Sequence, residues 1–93
     1  MRSVKNTKVY VEVLSVTTPE GRMIPRALVW EDGTRYKIDR VTDVKQAPAI
    51  KAGGQGDRYT IWIDGKQSYL FFERNGSSSG NSIGRWFVER RSA

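Results

Sequence analysis

Arg58–Arg74 reads RYTIWIDGKQSYLFFER, two strand-like runs joined by Asp64-Gly65. A two-residue hairpin turn needs positive φ at its centre. Gly has no Cβ to resist that conformation, and Asp tolerates it better than most residues. Such a turn fixes the register: Ile63 opposes Lys66, Ile61 opposes Ser68 and Tyr59 opposes Leu70. One face then carries Tyr59, Ile61, Ile63, Leu70 and Phe72, which is a core face. The other carries Arg58, Thr60, Trp62, Gln67, Tyr69, Phe71 and Glu73, too aromatic for an ordinary solvated surface and too charged for an ordinary core. Either it is a second core face covered by other strands, or it is exposed for binding.

Similar patterns flank this hairpin. Within Lys8–Val16, Val9, Val11 and Val13 alternate with Tyr10 and Glu12, the period of a half-buried strand. The alternation slips at Leu14 and Val16, where a bulge would carry the apolar set to the other face, and Thr18-Pro19-Glu20-Gly21 supplies a turn. Met23–Glu31 and Thr34–Val41 flank a second Asp-Gly pair, Asp32-Gly33. A two-residue turn there sets Val29 opposite Tyr36 and Ala27 opposite Ile38, with Val29, Tyr36 and Ile38 inward and Arg35 and Lys37 outside beside Trp30 and Leu28. Pro25 stands near the start of its strand, where a missing N–H is best tolerated. VWEDG at 29–33 and IWIDG at 61–65 share a Trp two residues before the Asp; turn chemistry alone produces such a match, so no duplication is read from it.

Thr42–Lys51, TDVKQAPAIK, reads as extended or loop, because Pro48 excludes a regular helix. The glycine-rich AGGQGD at 52–57 lacks the Lys, the Ser or Thr and the following helix of a phosphate-cradling loop, and reads as a flexible connector. NGSSSGNSIG marks a second flexible loop near 75–83, since Gly and Ser lose much entropy on ordering and offer no core contacts. Arg85–Arg91, RWFVERR, is a last strand with a basic end.

A chain of 93 residues corresponds to one domain, 1–93, able to bury roughly 60 to 65% of its unfolded surface. Sixteen Lys and Arg against ten Asp and Glu give a net charge of +6, a bias toward polyanionic partners. There is no Cys and no His, which removes thiol nucleophiles, disulfides, imidazole bases and the usual zinc ligands. Carboxylates alone remain for chemistry. Asp32, Asp39, Asp43, Asp57 and Asp64 are the candidates to hold Mg²⁺ or act in acid–base work, but Asp32 and Asp64 are accounted for by turns and Asp57 by a loop, and without His or Cys neither catalysis nor a cofactor or metal is expected. No apolar run approaches the ~20 residues of a membrane span, and MRSVKNTK lacks the apolar core of a secretory signal, so a cytoplasmic protein without a membrane partner is expected.

Five to six mostly antiparallel strands, short turns and no regular helix make this an all-β chain, a small partly open barrel of the SH3-like or OB-like kind. The layout WEDGTRYKIDRV, then GGQGDRYTI, then RWFVE resembles a group of small uncharacterised bacterial all-β domains over about Leu28–Arg91. That resemblance implies a bacterial source and a strand-rich fold, and it implies no site.

Small barrels bind single-stranded DNA or RNA by stacking bases on exposed aromatics beside Lys and Arg. Trp62, Tyr69 and Phe71 for stacking, with Arg58 and Arg85 for phosphates, fit such weak, sequence-tolerant binding. The alternative is a protein-interaction or homo-oligomerisation module that uses the same aromatic face or an edge strand toward a protein partner or itself.

Overall fold

The computed structural model describes residues 5–46, 56–74 and 84–92, with side chains described for 7–46, 56–74 and 84–90. These residues form β1 (Lys5–Thr17), β2 (Met23–Val29), β3 (Arg35–Lys37), β4 (Arg40–Lys45), β5 (Asp57–Ile63), β6 (Lys66–Arg74) and β7 (Gly84–Ser92), with no helix among them. The strands lie in the order β3-β2-β1-β7-β6-β5-β4, and every neighbouring pair is antiparallel.

Two features curl this sheet. The long β1 pairs with β7 over its first half, from Lys5 to Val11, and with β2 over its second, from Glu12 to Thr17. At the other side the chain leaves β2 and joins β5 within two residues: the Ile38 N–H donates to the Arg26 carbonyl at 2.9 Å, and the Asp39 N–H donates to the Trp62 carbonyl at 2.8 Å. The two ends of the sheet therefore meet at Ile38–Asp39, giving a partly open barrel in which strands turn the corners. Arg35–Lys45 is one bent run counted as β3 and β4, which is why seven strands stand where five to six are expected.

The β5–β6 hairpin has the expected register throughout, from Asp57↔Phe72 to Ile63↔Lys66, with φ of 51° at Asp64 and 76° at Gly65. The first Asp-Gly pair builds a different turn. The Trp30 N–H donates to the Thr34 carbonyl at 2.8 Å and the Gly33 N–H to the Trp30 carbonyl at 2.9 Å, so the loop has three residues and only Gly33, at φ 89°, is left-handed. The Asp32 carboxylate instead accepts the Thr34 N–H at 2.9 Å, and this bond holds its pKa below the ordinary carboxylate value. Thr18–Arg22 closes in the same way, with Gly21 at φ 87°.

That extra loop residue moves the β2–β3 register by one, to Leu28↔Tyr36 and Val29↔Arg35. Leu28 and Trp30, expected outside, therefore pack with the core, while Val29 shares the outer side with Arg35. Tyr36 stands on the side of Leu28 and Ile38 but on the three-residue β3, and it stays 38% exposed.

The expected irregularity at Leu14 is present, but its extra residue, Arg26, belongs to β2: Leu14 pairs with Ala27 and Ser15 with Pro25. Pro25 cannot donate to a ladder, and the bulge beside it shifts β2 rather than β1. Leu14 and Val16 consequently remain outside, 43% and 50% exposed. A second bulge, at Thr42, interrupts β4 between Val41 and Asp43, so that Val41 faces Ile61 while Asp43 and Lys45 pair with Thr60 and Arg58.

The barrel interior holds Leu28, Ile38, Tyr59, Ile61, Leu70, Phe72 and Trp86, with Val11, Val13, Met23, Trp30, Val41, Ile63 and Val88 packed against them. Trp86 touches two rings, Tyr59 at 5.1 Å and Phe72 at 4.9 Å between centroids. Phe72 is also gripped by glycines: a Cβ on Gly56 would lie 2.0 Å from its carbonyl oxygen, and one on Gly84 2.6 Å from its ring. Asp57, expected in a loop, opens β5, is buried, and accepts from the Arg74 guanidinium at 2.9 Å. The remainder of the first expected flexible loop, 52–55, and the second, 75–83, lie outside the described residues. VWEDG and IWIDG are not equivalent: their turns differ, and Trp30 packs with the core while Trp62 stands on the outer side.

Candidate functional site

Alternation places Arg58, Thr60 and Trp62 of β5, Tyr69, Phe71 and Glu73 of β6, Arg85 and Phe87 of β7, and Lys8 and Tyr10 of β1 on the outer side of the barrel. Outer side does not mean exposed here. Phe87 is fully buried and Phe71 is 5% exposed, although neither belongs to the interior cluster. Their rings stack at 5.0 Å with a 6° interplanar angle, and the Tyr10 ring meets Phe87 edge-on at 5.8 Å. Phe71 is thus the floor of this face and presents no free ring for stacking.

Above the floor, one half of the face is neutralised internally. The Glu73 carboxylate accepts from Lys8 Nζ at 2.8 Å and from the Tyr10 hydroxyl at 3.0 Å, and Arg85 stands 3.9 Å away. The Lys8 hydrogen bond is the main cause holding the Glu73 pKa below, and the Lys8 pKa above, their ordinary values. Lys8 also lies over the Phe87 ring at 4.9 Å, and the Arg85 guanidinium lies over Tyr10 at 3.7 Å.

The other half, on β4, β5 and the start of β6, is different. Trp62 is half-buried; its indole N–H donates to Thr42 Oγ1 at 3.1 Å, a contact the Thr42 bulge permits, and Arg40 covers its ring at 4.8 Å. Tyr69 is 41% exposed, its hydroxyl accepts from Gln67 Nε2 at 3.1 Å, and Arg58 covers its ring at 4.7 Å. Lys45 stands directly opposite Arg58 in the β4–β5 ladder. Among the described residues none of Arg40, Lys45 and Arg58 pairs with a carboxylate. Asp43, across from Thr60, is the acid on this side. Among the described residues the buried Nε of Arg58 has no hydrogen-bond partner.

Of the residues singled out from sequence, Arg58, Trp62 and Tyr69 come together on this un-neutralised half, Arg85 sits on the neutralised one, and Phe71 lies beneath both. Arg40, Thr42, Lys45, Lys8 and Tyr10 were not singled out. Tyr10 and Lys8 could have been found from their alternation with Val9 and Val11, whereas a bulged strand beside Pro48 carries no clear period. Rings under unpaired guanidinium groups can hold a planar, anionic ligand: the π face takes a flat group and the cation takes its charge.

The Asp32 carboxylate accepts the Thr34 N–H at its loop, the Asp39 carboxylate accepts the Asp64 N–H at 2.9 Å, and Asp57 pairs with Arg74. No helix among the described residues is long and apolar enough to cross a membrane. No family model, curated protein or solved structure matches the chain.

Proposed function

We propose that this chain is a cytoplasmic module that binds single-stranded DNA or RNA weakly and without sequence preference, through the β4–β5–β6 half of its outer face. What carries this reading is a cation without a carboxylate partner among the described residues on each of two rings of this half: Arg40 over the half-buried Trp62 and Arg58 over the exposed Tyr69, with Lys45 alongside. Tyr69 and Trp62 offer the stacking surfaces, Arg40, Arg58 and Lys45 the phosphate contacts, and Phe71 with Phe87 the rigid floor. Arg85 contributes less than its charge suggests, because Glu73 already faces it. The test is an NMR titration of labelled protein with a mixed-sequence single-stranded oligonucleotide at low and moderate salt. Shifts on Arg40, Lys45, Arg58, Trp62 and Tyr69 that weaken steeply with salt support the reading; no shift at low salt overturns it.

Contact with a protein or a second copy is the competing reading, favoured by Leu14 and Val16 exposed together on β1. Its discriminator is an association that centres on those residues and barely responds to salt.

A further inference from the structure

Of the cations lying on aromatic rings of the outer face, one is in an arrangement that leaves its own hydrogen bonding incomplete. Arg85 over Tyr10 has Glu73 beside it at 3.9 Å, and Lys8 over Phe87 donates to the same carboxylate at 2.8 Å, so both are fixed twice. Arg58 over Tyr69 has no such second hold. Its buried Nε has no partner among the described residues, and the residue directly across the ladder is Lys45, a like charge that repels rather than anchors it. Tyr69 is held independently of Arg58, because Gln67 donates to its hydroxyl at 3.1 Å.

We propose that Arg58 is a displaceable cap: a base of the bound strand takes the Tyr69 ring face, and the released guanidinium joins Lys45 in holding the adjacent phosphate. This rests on the nucleic-acid reading above and specifies its order of contacts. A ring face already covered by a cation is a poor platform for a base, so bare stacking on Tyr69 requires Arg58 to move. Two gains favour the bound arrangement. Nε gains an acceptor oxygen, and the Lys45–Arg58 repulsion becomes a shared attraction to one anion, for which the planar guanidinium is well shaped. The ligand chemistry implied is a flat base joined to a phosphodiester, with neither part sufficient alone.

The experiment follows the Arg58 Nε–Hε signal and the Tyr69 ring protons during titration with a hexathymidylate, with inorganic phosphate as a separate probe. The expected result is that the oligonucleotide removes the ring-current shift that Tyr69 imposes on Arg58, while phosphate alone leaves the pair stacked. Lys45→Gln and Arg58→Gln should each weaken oligonucleotide binding about threefold to tenfold, and the double variant should lose less than the product of the two, because they serve one phosphate. If Arg58 keeps its ring-current shift in a complex where Trp62 and Arg40 respond, the cap is wrong and the nucleic-acid reading stands. If the oligonucleotide perturbs nothing at low salt, both fall together. If Lys45→Gln and Arg58→Gln lose affinity independently, the shared phosphate is overturned.

Discussion

The two sides of this sheet are both rich in aromatic residues, and they bury them by different means. Inside, Tyr59, Phe72 and Trp86 are enclosed because the sheet curls and its ends meet at Ile38–Asp39. Outside, Phe87 reaches full burial on a convex surface, where Phe71 stacks on it, Tyr10 abuts its edge and Lys8 lies over its ring. The inner side is closed by apolar groups, with the Asp57–Arg74 ion pair at one end of the β5–β6 hairpin; the outer side uses charge as the lid. Aromatic content therefore does not separate core from binding face here. What separates them is whether the covering groups are apolar side chains or cations lying on the rings.

The hardest test of that comparison is Phe87→Ala. If the outer cluster is a true second core, the variant should lose about 3 to 5 kcal/mol in urea unfolding, as much as Phe72→Ala on the inner side. A loss near 1 kcal/mol would mean that the lid collapses onto the gap, and that the outer side is a surface with rings on it. Next in size is Gly56→Ala, expected to cost about 2 to 3 kcal/mol, because its Cβ would fall 2.0 Å from the Phe72 carbonyl oxygen, where backbone must move. Gly21→Ala removes no close approach, since nothing lies within 4 Å of an added Cβ there, so its cost should be confined to the positive φ. Similar losses at the two glycines would remove the argument that Phe72 is pinned from both sides.

Much of this architecture was legible in the residues, and the failures have physical causes. Asp64-Gly65 specified its hairpin completely, because a two-residue turn with both φ positive admits one register. Asp32-Gly33 did not, because an Asp can spend its carboxylate on the Thr34 N–H and leave the left-handed position to Gly alone; the same dipeptide then closes a three-residue loop and moves the strand by one. Leu28 and Val29 exchanged sides for that reason. The aromatic second side of β5–β6 could be read as unusual, but not as double-layered. Phe71 and Tyr69 are two residues apart on one strand side, yet one is floor and the other surface, because Phe71 has ladder partners on both sides, Arg58 and Phe87, while the β6–β7 pairing stops at Phe71 and Tyr69 pairs with Thr60 on β5. Such neighbours come from strand order, which the sequence does not state. The cations of β4 were missed because a bulge at Thr42 breaks the period that would have aligned Arg40, Asp43 and Lys45.

Trp62→Ala probes the boundary between the two kinds of burial. Its ring is half-buried, covered by Arg40 and tied to Thr42 rather than enclosed by apolar groups. The variant should remain folded by its amide spectrum and lose about 1 to 3 kcal/mol of oligonucleotide affinity. A protein that unfolds would put Trp62 with Phe87 as a structural ring. Conversion of a dimer into a monomer would instead favour the protein-contact reading.

The smallest expected effect lies in the neutralised half, where Glu73→Gln separates stability from binding. Glu73 is held below its ordinary carboxyl value of 4.5 chiefly by the Lys8 hydrogen bond, so its contribution to stability is present above that pH and is lost as pH falls through the lower folded value. Lys8 is raised above its ordinary 10.5 by the same bond, and its contribution is present below that pH and disappears as pH climbs through the raised value. Between these limits the pair is about one-third exposed, so the variant should cost only about 0.5 to 1 kcal/mol at pH 7. Wild type and variant should converge in stability in acid, which urea midpoints across pH 2 to 7 would check. Binding should move the other way. Removing one negative charge roughly 10 Å from a bound phosphate is worth about 0.4 kcal/mol in water, near a twofold gain in oligonucleotide affinity. It also leaves Lys8 and Arg85 without their carboxylate. A gain well beyond twofold, with a steeper salt dependence, would show that the strand crosses onto β1 and β7 once Glu73 is neutral; no gain at all would confine the ligand to the half of the face where Arg40, Lys45 and Arg58 stand unpaired.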